Sequence, residues 1–149
     1  MVVDFNGDKL TDRVMFDHEG FICLFARDRV DGELTLQPPQ RIFVDPDGSP
    51  IRLNPGRAGA SGRRKLAVVD WDGDGRLDLL VNSTSATWLR NVETRSSKNV
   101  LEDKGKLSTH NISGHTSSPT TVDWNRDSVP DLLVGAEDGF LYYMTNPRR

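Results

Sequence analysis

The stretch "VVDWDGDGRLDLLV", residues 68–81, decides how the rest of the chain is interpreted. Two apolar residues lead into a loop that carries aspartate at loop positions 1, 3, 5 and 9, counted from Asp70. Glycine at positions 4 and 6 allows the positive φ values that such a tightly wound loop requires. The apolar residues that follow indicate a strand. The stretch therefore predicts an acidic loop between two strands.

The same pattern occurs three times along the chain. It appears as "VVDFNGDKLTD" at residues 2–12, "VVDWDGDGRLD" at 68–78 and "TVDWNRDSVPD" at 121–131. Spacings of 66 and 53 residues between the copies are typical of repeat architectures, in which each unit is one supersecondary element. A short strand-like segment, a small residue and a second apolar run follow each loop, without sustained helical periodicity. Each unit is thus predicted to contain strand, acidic loop, strand, tight turn and strand.

A fourth strand per unit is expected within 33–37 or 41–44 for the first copy and near 107–112 for the second. Repeated four-stranded antiparallel units predict an all-β fold made of β-propeller blades, at about 1–53, 64–112 and 119–149. Closed propellers have roughly 4–8 blades, so about three blades predict part of a larger propeller. Because open sheet edges invite pairing, the remaining blades or a partner chain are expected to cover them.

The loops offer only hard oxygen donors, which select a hard cation, and calcium tolerates irregular geometry better than magnesium does. An EF-hand would need glutamate at position 12, where this chain has Val81. Clustered carboxylates repel one another unless a cation neutralises them, although a plain Asp/Gly turn is the alternative. The predicted ligands include a backbone carbonyl at position 7: Asp70, Asp72, Asp74, Arg76 and Asp78; Asp4, Asn6, Asp8, Leu10 and Asp12; and Asp123, Asn125, Asp127, Val129 and Asp131. The second loop has four carboxylates against three in the others, so we expect it to bind most tightly.

Composition excludes several classes of protein. A net charge of −3 argues against a nucleic-acid binder, which usually carries a basic excess. No apolar run is long enough to span a membrane.

The single cysteine, Cys23, lies in "FICLF" and is predicted to be a buried small hydrophobe. The acidic stretch "VDPDGSP", residues 44–50, lacks a closing ligand and is predicted to be a turn.

At these loops the sequence resembles the FG-GAP/VCBS repeat family, whose calcium loops follow DxDxDGxxD between the first two strands of a propeller blade. Integrin α propellers and many secreted bacterial proteins carry such repeats, and "DLLVGAEDGFLYY" at 131–143 is similar to the carbohydrate-associated bacterial members. The resemblance implies a calcium-stabilised propeller in an extracellular or periplasmic location. It does not fix an activity. No signal peptide precedes the first loop, whose closeness to Met1 suggests a piece of a longer chain.

Two functions follow as hypotheses. The first is a scaffold or binding module for carbohydrate, with a ligand face opposite the calcium loops formed by Arg63, Arg64, His115 and a sugar-stacking Trp88. Trp71 and Trp124 are expected to pack between blades instead. The alternative is a fragment of a polysaccharide lyase, with His115 as a candidate base and other catalytic residues outside this chain. A protein-binding ectodomain like the integrin head is a third possibility, supported only by the shared fold.

Overall fold

The computed structural model describes residues 1–53, 64–112 and 117–148, which form thirteen strands and no helix. Nothing in these ranges could therefore cross a membrane as a helix. The all-β fold predicted from the repeats is confirmed. The chain divides into two compact units, Met1–Gly62 with Glu93–Val100, and Arg63–Val92 with Leu101–Arg149.

The first unit begins with an antiparallel sheet of β1 (Val2–Val3), β2 (Asp12–Phe16) and β3 (Ile22–Phe25), with the first acidic loop between β1 and β2. A separate hairpin follows, formed by β4 (Arg27–Val30) and β5 (Glu33–Leu36). Of the two alternatives for the fourth strand, 33–37 therefore lies in a separate hairpin, whereas the segment 41–44 contains the short strand β6 (Phe43–Val44). Asp31 and Gly32 take positive φ between β4 and β5, and such an Asp-Gly pair favours a two-residue hairpin.

The second unit contains the central sheet, in which β7 (Leu66–Val69), β8 (Asp78–Asn82), β9 (Ala86–Arg95) and β10 (Lys98–Lys106) are successive neighbours. The fourth strand is thus β10, and its prediction near 107–112 is wrong. Ser96 and Ser97, both with positive φ, reverse the chain between β9 and β10. The tip of this hairpin belongs to the first unit, where Asn99 and Val100 pair in parallel with β6 (Phe43–Val44).

A third sheet completes the second unit and confirms the last predicted copy. It consists of β11 (Ser118–Val122), β12 (Asp131–Gly135) and β13 (Leu141–Met144), all antiparallel. The second acidic loop joins β7 to β8, and the third joins β11 to β12. Each acidic loop therefore connects the first two strands of its sheet, as predicted.

The core of the second unit lies between the β7–β9 sheet and the β11–β13 sheet. It is formed by Ala67, Trp71, Leu80, Ala86, Ile112, Leu132 and Val134. Trp71 is 4% exposed, which confirms that it packs between sheets, but the same prediction is wrong for Trp124, which is 60% exposed. In the first unit Cys23 is buried as predicted, and burial raises its pKa to about 11, which disfavours the reactive thiolate.

Candidate metal-binding loops

All three acidic loops share one backbone conformation. Loop positions 4 and 6 lie in the left-handed region in every copy, with φ between 64° and 86°: Gly7 and Lys9, Gly73 and Gly75, Arg126 and Ser128. The glycines of the second loop therefore adopt the positive φ values predicted from the sequence. The first loop keeps this conformation with one non-glycine residue and the third with two, at roughly 1 kcal/mol or more for each such residue.

The aspartate at position 1 organises each loop by accepting main-chain hydrogen bonds. Oδ1 of Asp70 accepts from the N–H of Gly73 at 2.7 Å, and Oδ2 accepts from the N–H of Gly75 at 3.0 Å. Asp4 and Asp123 each accept two such bonds from N–H groups of their own loops. The loop thus winds around this carboxylate.

Positions 3 and 5 continue the same pattern. Asp72 accepts from the N–H of Asp74 at 3.3 Å, and Asp74 accepts from the N–H of Arg76 at 2.9 Å. The first and third loops repeat both bonds. Because alternate side chains fold inward, one carboxylate oxygen from each of Asp70, Asp72 and Asp74 lies within 4.8 Å of the other two. This spacing suits a single cation.

The aspartate at position 9 is buried in every copy and occupies the first residue of the second strand: Asp12, Asp78 and Asp131. Oδ1 of Asp78 accepts from the N–H of Asn91 at 2.7 Å. Oδ2 accepts from the N–H of Trp71 at 3.2 Å and from the indole N–H of Trp88 at 3.0 Å. Burial raises the pKa of Asp78 above its ordinary value, against the opposing effect of these three hydrogen bonds. Asp78 therefore ties the loop to the third strand of its sheet, and its role as a metal ligand stays a prediction.

The other copies repeat this connection. Asp12 accepts from the N–H of Arg27 at 2.8 Å, and Asp131 accepts from the N–H of Asn146 at 3.0 Å. The hydroxyl of Tyr143 donates to Asp131 at 2.9 Å, in the place that Trp88 has in the central sheet. These matching bonds define which residues of the two sheets in the second unit are structurally equivalent.

Two arginines neutralise the second loop. Nη2 of Arg90 lies 3.1 Å from Asp74, its Nε bonds to Asp72, and Arg76 also pairs with Asp74. The hydrogen bond to Asp72 raises the pKa of Arg90 above its ordinary value. Spacing within the loop could not reveal this contact, because Arg90 lies 18 residues beyond Asp72. The residues that precede the equivalent third-strand positions are Ala26 and Thr145, so the first and third copies have no arginine there.

Two asparagines that lie outside the predicted ligand sets also support the loops. The amide of Asn91 donates to the carbonyl of Leu77 at 3.2 Å. The amide of Asn146 donates to the carbonyls of Pro130 at 3.0 Å and Trp71 at 2.9 Å. The available signal was the asparagine that ends both "TWLRN" and "FLYYMTN".

The expected ligand face lies only partly within the described residues. Trp88 is bonded to Asp78 beside the second acidic loop, so its placement on the opposite face is wrong. It lines a cleft of about 280 Å³ with Trp71, Asp72, Asn146, Pro147 and Arg148. Arg64 is exposed, while Arg63 and His115 lie outside the described residues. The acidic stretch at 44–50 forms a turn, as predicted, with Gly48 at positive φ.

Fold and loops together define a protein built from β-propeller blades with acidic loops. The model of the FG-GAP-like repeat matches residues 4–81 and again residues 70–134. These matches cover most of the chain, which therefore belongs to the FG-GAP-like repeat family. No curated protein and no solved structure gives a significant match. A binding or scaffold module is the function that this fold supports.

Proposed function

We propose that the chain is a calcium-stabilised β-propeller module whose acidic loops bind calcium. The observation that carries the proposal is the convergence of carboxylate oxygens from Asp70, Asp72 and Asp74 within 4.8 Å. The donor set fits the ion, because it contains only oxygen and its main-chain bonds preserve an irregular arrangement that calcium tolerates. The carbonyl of Arg76 and the carboxylate of Asp78 are the further ligands expected from the sequence. Calcium would supply positive charge at the centre of the loop.

The role of the ion in this proposal is structural. Each loop joins the first two strands of a sheet, and its clustered carboxylates repel one another at neutral pH, which the two arginines beside the second loop offset only in part. A bound cation removes this repulsion and stabilises the folded loop over the unfolded chain. The first and third loops substitute Asn6 and Asn125 for one carboxylate, so we expect weaker binding there. Because the resemblance implies an extracellular or periplasmic location, we expect calcium affinities of roughly 10⁻⁴–10⁻³ M, the range of extracellular modules.

Thermal unfolding with and without calcium tests this proposal. We expect the midpoint of the purified chain to fall in excess EDTA and to recover with calcium more fully than with magnesium. The variant Asp70→Asn should lose a large part of this calcium response. Asp45→Asn is the matched control, because Asp45 lies in the 45–49 turn and accepts the N–H of Ser49. A midpoint that does not respond to calcium in the wild-type chain would refute the proposal.

The ligand class in this proposal is carbohydrate. It is supported by the family resemblance and by the cleft that Trp71 and Trp88 line beside Asp72. Aromatic walls with a few placed polar groups are typical of small-molecule sites. We expect uronic-acid oligosaccharides to change tryptophan fluorescence in the wild-type chain and Trp124→Leu, but not in Trp88→Leu. An identical titration in all three proteins would contradict this assignment.

A further inference from the structure

We infer that the outer face of the β11–β13 sheet is a docking surface for a second copy of this chain, which binds through the β1–β3 sheet. This outer face is defined here as the surface formed by Thr120, Val122, Trp124, Leu133, Leu141 and Tyr143. The inference rests on the internal repeat and does not depend on calcium. It names an interface and a partner that the family assignment leaves open.

Strand register identifies the residues of this outer face. Leu133 pairs with Thr120 on one side and Tyr143 on the other, so the three side chains lie in one row on the same side of the sheet. Leu141 lies two residues before Tyr143 and therefore shares that side. The neighbouring rows, which contain Leu132 and Val134, point the other way into the core. The sheet therefore has one buried apolar face and one exposed apolar face.

The central sheet shows what covers the equivalent face. Position-9 bonds make Trp88 equivalent to Tyr143 and Asn91 equivalent to Asn146. Counting from these pairs, Ala86 corresponds to Leu141, and loop position 2 makes Trp71 correspond to Trp124. Ala86 is 0% exposed whereas Leu141 is 62% exposed, and both Ala86 and Trp71 are buried against the β11–β13 sheet. The same face is thus covered by a sheet in one repeat and exposed in the next.

A hollow at one end of the outer face supports this interpretation. It has a volume of about 370 Å³, and Ser118, Gly135, Phe140 and Leu141 are among the residues that line it. In the central sheet, the N–H of Ile112 bonds to the carbonyl of Thr84, and Ile112 packs with Ala86, the residue equivalent to Leu141. The hollow therefore lies where an aliphatic side chain is inserted in the preceding repeat. Its exposed aromatic neighbour, Phe140, adds apolar surface.

The β1–β3 sheet carries the complementary surface. Leu132 and Val134, which cover the central sheet, follow the position-9 aspartate of their loop by one and three residues. The residues at the same distances from Asp12 are Arg13 and Met15. Met15 and Val2 are both exposed, and Arg13 pairs with Val2 and Phe25 in one row. The β1–β3 sheet of a second copy can therefore cover the outer face in the way that the β11–β13 sheet covers the central sheet of the same chain. Such a contact joins two different surfaces and is heterologous.

Analytical ultracentrifugation of paired variants tests the interface. Leu141→Glu removes the outer face, Met15→Glu removes the partner face, and Leu34→Glu places the same charge on the β4–β5 hairpin as a control. We expect the wild type and Leu34→Glu to associate with rising concentration, and each interface variant to stay monomeric alone. An equimolar mixture of the two interface variants should form dimers, because each retains the surface that the other lacks.

The alternative outcomes overturn the inference. A wild-type chain that remains monomeric up to the highest soluble concentration would exclude a second copy as the occupant. Association of Met15→Glu alone would indicate a symmetric contact between two outer faces and would contradict the proposed partner surface. If Leu141→Glu fails to fold by circular dichroism, Phe140→Glu replaces it, because Phe140 lies in the turn before β13. Failure of the mixture to dimerise refutes the heterologous contact.

Discussion

The second and third acidic loops share a backbone but differ in strain and in charge. The second loop has glycine at both left-handed positions and two arginines beside its acids. The third loop adopts the same conformation with Arg126 and Ser128 at these positions. Its positions 1, 3 and 5 carry two carboxylates and one amide, whereas the second loop has three carboxylates there. The comparison teaches that the main-chain hydrogen bonds, rather than glycine or carboxylate count, define the loop. On the proposed function, charge and strain would then set the difference in calcium affinity between the copies.

The largest expected effect is a difference in stability between variants of Asp78 and Asp131, the buried position-9 aspartates of the second and third copies. Asp78→Ala leaves the N–H groups of Trp71, Asn91 and Trp88 without their acceptor, and each unsatisfied buried donor costs about 1–3 kcal/mol. We expect a loss of at least about 3 kcal/mol in the free energy of unfolding, measured by chemical denaturation in EDTA. Asp131→Ala should cost less, because the Tyr143 side chain is partly exposed and its hydroxyl can reach water.

Asp74→Ala is the control for this prediction. It removes an exposed carboxylate from the same loop and should change stability in EDTA far less than Asp78→Ala. Equal losses for Asp74→Ala and Asp78→Ala would contradict the account of position 9 as the connection between loop and third strand.

The next largest effect is expected at loop position 6, where glycine is removed from the second loop and introduced into the third. Gly75→Ala should destabilise the chain by about 1 kcal/mol, because a side chain there meets no neighbour but requires positive φ. Ser128→Gly should stabilise the chain by a similar amount, because Ser128 already has a φ of 67°. Chemical denaturation of both variants measures the two changes in the free energy of unfolding. Changes of the same sign would show that the two loops do not share one backbone conformation.

The smallest effect concerns the arginine that only the second loop has at this place. Arg90→Gln removes a positive charge that competes with a cation for Asp72 and Asp74. Calcium affinity of the second loop should rise roughly two- to fivefold, the size expected for a solvent-exposed ion pair. Thr145→Gln makes the same replacement at the equivalent position of the third sheet and should leave calcium binding unchanged. A decrease in affinity for Arg90→Gln would contradict the role of Arg90 as a competing cation.

Sequence patterns predicted the parts of this fold that depend on local geometry. The three loops, the strands on both sides and the left-handed glycines follow from short-range spacing, and all are found where expected. The β9–β10 hairpin was missed because Ser96 and Ser97 are not the usual residues of its turn and because "KNVLEDKGK" is mostly polar. The β4–β5 hairpin had a clear Asp-Gly signal that was not used.

The site was predicted less completely than the fold, because several of its contacts join distant residues. Arg90 reaches Asp72 from a different strand, and the bond from Trp88 to Asp78 depends on how two strands pair. Trp124 was expected to be buried because Trp71 is, yet the face on which it lies is covered by nothing in the described parts of the chain. Equivalent residues in a repeat therefore share a local conformation without sharing an environment.

Isothermal titration of calcium into the metal-free chain is the decisive test of calcium binding by the acidic loops. Wild type, Asp4→Ala, Asp70→Ala and Asp123→Ala should be compared at equal concentration and ionic strength. We expect calcium binding by the wild type, loss of the tightest site in Asp70→Ala, and loss of a weaker site in each of the other two variants. An Asp70→Ala isotherm identical to that of the wild type, or a wild type that binds no calcium, would contradict this expectation.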